Sequence, residues 1–185
     1  MSVPARFVGA WQRERLEVAG RAVAGIGRAL WIEGGGTYVD VRAQGELASN
    51  TSFGGRSAWR APRFTWHHDI DLAPEPGAVD RATLAQDGDD LVERGVGLTG
   101  EGVPYLERWH RLPTTTAATA IAEHTYGLAV RVGDYAGAVL AAPRRACCWA
   151  RTVQGWRVVV SLGRGAGLPE PRDDGWQLPH GWLSR

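Results

Sequence analysis

The segment richest in chemistry is Trp66-His67-His68-Asp69-Ile70-Asp71. An imidazole titrates near neutral pH, so a histidine beside carboxylates is a natural acid/base. Successive residues of a strand point to opposite faces. His67 and His68 therefore cannot both serve one interior. His68 shares its face with Phe64, Trp66, Ile70 and Leu72 and is the candidate for an imidazole in a pocket. His67 and Asp69 share the other face and could begin a metal site. No second cluster with ligand spacing accompanies them, so no metal is expected.

Two further faces combine acids, bases and large aromatics. Tyr105, Glu107, Trp109 and Arg111 alternate along one predicted strand, and Tyr38, Asp40 and Arg42 along another, with Thr37, Val39 and Val41 opposite. An outward face seldom combines Trp and Tyr. If these faces point inward, their charges must pair, because an unpaired buried charge is very costly. Asp40 and Arg42 are the complements of Glu107 and Arg111. Such a set either fixes strand register as an ion-pair network or orients a ligand in an otherwise apolar pocket.

Other chemistry is excluded or unsupported. All 21 basic residues are Arg, which rules out a lysine Schiff base and a P-loop lysine. No Gly-x-Ser-x-Gly elbow occurs, and Gly163-Arg164-Gly165-Ala166-Gly167 precedes a Pro-rich stretch and reads as a turn. Cys147 and Cys148 read as two small apolar strand residues. No cofactor is expected. Net charge is +1 with both signs interspersed, which argues against nucleic acid and against a polybasic membrane patch. No apolar run is long enough to span a membrane, and MSVPARFVGAW lacks the apolar core of a signal peptide, so a cytoplasmic location is expected. The oligomeric state stays open, a homodimer being one option.

The elements that must position these groups are strands. Period-2 alternation and turn residues mark strands over 10–18, 28–33, 37–43, 57–60, 63–72, 80–86, 91–98 and 105–112. Hairpins follow over 127–132/135–141 and 146–153/156–162. Glycines 34–36 and Asp87-Gly88 are hairpin turns, and the Pro-Glu-Pro-Gly run at 74–77 is a turn that ends the 63–72 strand. Residues 45–55 read as a loop or lid, 99–102 as a short connection, and 114–123 as a helical turn or loop. Nine tryptophans spread along the chain suggest an interior built by many successive elements. The expected fold is all-β: a single antiparallel calycin/lipocalin-like β-barrel of about eight to ten strands. It would span residues 1–185 as one domain, with 163–185 as a tail packed on the barrel wall.

The order of several segments resembles a known family. These are Trp11-Gln12-Arg13, Tyr38-Val39-Asp40-Val41-Arg42, Phe53-Gly54-Gly55 and Trp66 to Asp71. Asp87-Gly88, Leu91-Val92-Glu93-Arg94-Gly95 and Tyr105-Leu106-Glu107-Arg108-Trp109 follow. Across 11–112 the chain resembles the fungal HRI calycin-like family and its small bacterial relatives. The resemblance implies a lipocalin-like barrel, and no settled activity comes with it. A looser analogy, of fold alone, is to small barrels that act as cofactor-independent cyclases in bacterial secondary metabolism.

The expected function is binding of a hydrophobic small molecule inside the barrel, with acid/base chemistry that needs no cofactor. His68, Glu107 and Asp40 would move protons, and Arg42 and Arg111 would stabilise developing negative charge. Tyr38, Trp66, Tyr105 and Trp109 would shape the substrate. Cyclisation, isomerisation and hydration/dehydration are the reactions that fit. The alternatives are a carrier without chemistry and a structural or partner-binding barrel filled by its own side chains.

Overall fold

The computed structural model describes residues 2–43, 52–72, 78–97, 102–163 and 167–185. Alternating sequences of this kind bury one face of each strand, and here most of them close into a barrel. Its strands are β1 (Gly9–Val18), β3 (Arg28–Glu33), β4 (Thr37–Ala43), β5 (Phe53–Arg60), β6 (Arg63–Asp71), β7 (Val79–Asp87), β8 (Asp90–Val96) and β9 (Pro104–Arg111). The short β2 (Arg21–Ala22) extends β1 as a hairpin. Each barrel strand pairs antiparallel with the next, and β1 pairs with β9 to close the ring. This is the single closed antiparallel barrel expected of a calycin-like chain. Closure removes the unpaired edges that an open sheet would expose.

Two boundaries differ from expectation. β5 begins at Phe53, so the last residues of the expected 45–55 loop are strand; 45–51 lie outside the described residues, as do the 74–77 turn and 99–101. The expected turn or loop at 114–123 instead ends in a strand, β10 (Thr119–His124).

The C-terminal hairpins do not enter the barrel. β10, β11 (Gly127–Val132), β12 (Tyr135–Leu140), β13 (Arg145–Thr152), β14 (Gly155–Leu162) and β17 (Leu183–Ser184) form a six-stranded sheet of their own. That sheet packs on the outside of the barrel wall. Ile32, Val39 and Val41 of the wall share one core with Val130, Val139 and Cys148 of the sheet. β3 and β4 are thus buried on both faces, which explains the unbroken apolar run Ala29-Leu30-Trp31-Ile32. Gly137 permits the close approach, since a Cβ there would lie 2.6 Å from Val39. Cys147 and Cys148 are buried free thiols, one in the core beneath each face of the sheet.

The tail does not pack on the barrel wall as expected. β15 (Glu170–Arg172) and β16 (Gly175–Gln177) form a small hairpin, while Leu168 and Trp182 cover Ala129, Ala136, Ala138 and Trp149 on the outer face of the second sheet. Among the described residues, no helix is long and apolar enough to cross a membrane.

Candidate functional site

The barrel interior is layered along its axis. At one end, Trp11, Trp31 and Phe64 form an aromatic core. The short turn Ala5–Phe7 closes this end, with Phe7 packed edge-on against Trp59 and Phe64 at 4.8 and 5.7 Å. Trp11 Nε1 donates to the carbonyl of Phe7 at 3.0 Å, which ties the plug to β1. Burying the two indoles, of roughly 200 Å² each, contributes about 5 kcal/mol apiece before entropy is counted.

Toward the other end the inward positions become charged. Arg13 donates to Glu107 at 2.6 Å, with both side chains almost wholly buried. Arg42 grips Asp40 through Nε and Nη2 at 3.0 and 2.7 Å and lies 3.8 Å from Glu107. His68 bridges Asp71 at 2.8 Å and Asp80 at 3.2 Å and stacks on Phe53 at 3.9 Å. Glu93 sits directly across from Glu107 in the β8–β9 register. It accepts from the Tyr105 hydroxyl at 2.7 Å and from Trp109 Nε1 at 3.0 Å. Gly95 makes the first of these bonds feasible. A Cβ there would lie 2.5 Å from the Tyr105 ring, so glycine lets the ring cross β8.

These surroundings set the protonation states. Burial alone would lower the His68 pKa, but hydrogen bonds to Asp71 and Asp80 and their charges raise it to about 9. His68 is therefore an imidazolium at neutral pH. Burial, then the charge of Glu107, push Glu93 up to about 8, against the bonds from Tyr105 and Trp109 and the charge of Arg42. Glu93 thus keeps its proton at neutral pH. Burial would raise Asp80, yet the bond and charge of His68 hold it low. Burial would weaken the Arg42 cation, and Asp40 and Glu107 reverse that.

A narrow slot opens between these groups. Three indoles (Trp31, Trp66, Trp109) and the Phe53 ring form its apolar lining. Asp40, Arg42, Asp80 and Glu93 form its polar lining. Asp80, with its side chain half exposed, marks the rim. The free volume is about 10 Å³, room for one water-sized group. The barrel's own aromatics fill the rest, so the interior expected to take a hydrophobic small molecule is reduced to this slot.

Of the sequence-predicted residues, Asp40, Arg42, Trp66 and Trp109 line the slot. His68, Glu107 and Tyr105 stand behind it, each bonded to or close beside a lining residue. Tyr38 joins the aromatic layer beside Phe53 at 6.1 Å. Arg111 lies at the plugged end, where it donates to the carbonyls of Arg6 and Val8 and covers the Trp11 ring. It takes no part in the slot, because β9 carries it to the far end of the barrel. Sequence reasoning missed Arg13, Phe53, Asp80 and Glu93. The signal for Glu93 was its period-2 partnership with Leu91, and for Arg13 its partnership with Trp11. On the outer wall, ligand atoms of Glu14, Asp90 and His110 lie within 4.8 Å of one another, but Asp90 is already shared by Arg108 and His110.

Compared with protein-family models, with curated proteins and with solved structures, the chain finds no match.

Proposed function

We propose that the protein binds a small molecule at the charged mouth of the barrel and performs cofactor-independent proton transfer on it, with Glu93 as the proton-carrying group. The observation that carries this reading is Glu93 itself, a buried carboxylic acid on the slot wall, protonated near neutrality and oriented by Tyr105 and Trp109. A catalytic acid is useful when its pKa lies near the working pH. Glu107 is a positioning residue: its charge helps hold the proton on Glu93, and its pairing with Arg13 and Arg42 fixes the wall. His68 and Asp40, each held in an ion pair, orient Asp80 and Arg42. Arg42 supplies positive charge where negative charge develops. Cyclisation, isomerisation and hydration/dehydration are the reactions such a group serves. The resemblance of segments 11–112 to the HRI calycin-like family implies a lipocalin-like barrel and adds nothing on the reaction. Given the size of the slot, the ligand enters with one small polar group and leaves its apolar body at the rim.

The pairing of Asp40, Glu107 and His68 favours a second reading, a carrier without chemistry, because one proton-bearing group remains for a reaction. A thermal-shift screen of small metabolite-like compounds, followed by mass spectrometry of the hits, separates the two. The enzyme reading expects a hit to be converted, and Glu93→Gln to cut conversion at saturating compound at least a hundredfold. Hits recovered unchanged overturn it in favour of the carrier. A silent screen overturns both and leaves a barrel filled by its own tryptophans.

A further inference from the structure

Resting on the reading of the mouth as a small-molecule site, we propose that its ligand carries a primary ammonium group, which enters the slot against Glu93 and Asp80. Size is the first argument. The slot holds one water-sized group, and an ammonium is of that size; a carboxylate or phosphate is not.

Charge is the second. Three carboxylates, Asp40, Asp80 and Glu93, and one guanidinium line the slot. That guanidinium is Arg42, whose Nε and Nη2 are both committed to Asp40. Its remaining nitrogen, Nη1, lies 3.8 Å from Glu107, so an incoming anion meets a cation already shared by two carboxylates. Among the described residues at and behind the lining, three cations (Arg13, Arg42, His68) face four carboxyl groups (Asp40, Asp80, Glu93, Glu107). An anion would add to these carboxyl groups, whereas an ammonium meets them.

Hydrogen bonding is the third. Glu107, across from Glu93, keeps Oε2 buried with no donor among the described residues, and Asp80 engages His68 through Oδ2 alone. An ammonium brings three donors and no acceptor.

The aromatic walls are the fourth. Trp31 meets Trp66 at 5.6 Å and Trp109 at 5.9 Å, both at 72°. All three indoles line the slot, and indole is the side chain that attracts cations most strongly.

The test uses three probes of one shape at pH 7: phenethylamine, 2-phenylethanol and 3-phenylpropionate, each titrated calorimetrically into the full chain. The expected result is binding of phenethylamine at least tenfold tighter than the alcohol, with no binding of the carboxylate. Asp80→Asn, at the half-exposed rim where folding is least at risk, should weaken phenethylamine at least tenfold, and Glu93→Gln likewise. Binding of the alcohol or the carboxylate as tight as the amine, lost on Asp80→Asn, overturns the ammonium and keeps the site. An amine that binds wild type and both variants alike overturns the assignment to this slot. If none of the three binds, the ammonium is overturned, and the broader screen alone decides whether the mouth is a site at all.

Discussion

At the plugged end of the barrel, Trp11, Trp31, Phe64 and Phe7 pack ring against ring, whereas a few residues along the same strands the interior is held by charge. The change occurs strand by strand in steps of two. Trp11 gives way to Arg13 on β1, Tyr38 to Asp40 and Arg42 on β4, and Trp66 to His68 on β6. Leu91 gives way to Glu93 on β8, and Trp109 to Glu107 on β9. One pleat direction therefore serves both regions, and position along the strand decides the chemistry. At the aromatic end the rings pack against one another. At the charged end carboxyl groups outnumber cations among the described residues, and it is there that the proposed ligand is placed.

Three substitutions would break or sharpen this contrast. The largest effect is expected from Trp31→Ala. Trp31 touches Trp11 and Phe64 on the aromatic side and Trp66 and Trp109 beside the slot. Its removal should cost about 3–5 kcal/mol in urea denaturation. A loss under about 1 kcal/mol would mean that the two ends are held independently.

The next effect is in pH. The folded-state values of Glu33, Glu93 and His68 all lie above their unfolded ones: burial pushes Glu33 up to about 7, Glu93 stands at about 8 and His68 at about 9. Each therefore contributes stability that is full below its unfolded value and fades as pH rises through its folded value. Stability should fall as pH climbs from about 5 to about 9, with Tm dropping by roughly 5 °C or more for a chain of this size. Glu93→Gln should flatten the part of that fall below pH 8. An unchanged profile in the variant would show that Glu93 is ionised throughout.

The smallest effect should come from Arg111→Met. It frees the carbonyls of Arg6 and Val8 and uncovers Trp11, at a cost of about 1 kcal/mol. Ligand binding at the mouth should not change. A binding defect in this variant would mean that the plug and the mouth are coupled.

The inward faces were legible because period-2 alternation fixes the face of every residue once one residue is placed. Asp40, Arg42, Trp66 and Trp109 were found that way. Arg111 follows the same rule and still misleads, because alternation gives the face and not the height along the barrel. Height depends on where each strand meets its neighbours, and the bulge between Arg13 and Arg15 shifts that register in the closing pair. The second sheet was illegible for a different reason. A hairpin such as 127–132/135–141 has the same local pattern whether it closes a barrel or stacks upon one. What distinguished them was the wall, where Leu30 and Ile32 are as apolar as Trp31 between them, a mark of strands covered on both sides.

The β1–β9 pairing also has a consequence in time. β1 is the first strand of the barrel to be synthesised, yet its second edge is filled by Pro104–Arg111. Until that stretch leaves the ribosome, β1 offers an open edge to any neighbouring chain, and the ring cannot form. Joining segments nearly a hundred residues apart is entropically slow, so this step is the natural bottleneck of folding. The second sheet is made afterwards, and its apolar underside meets a wall already built.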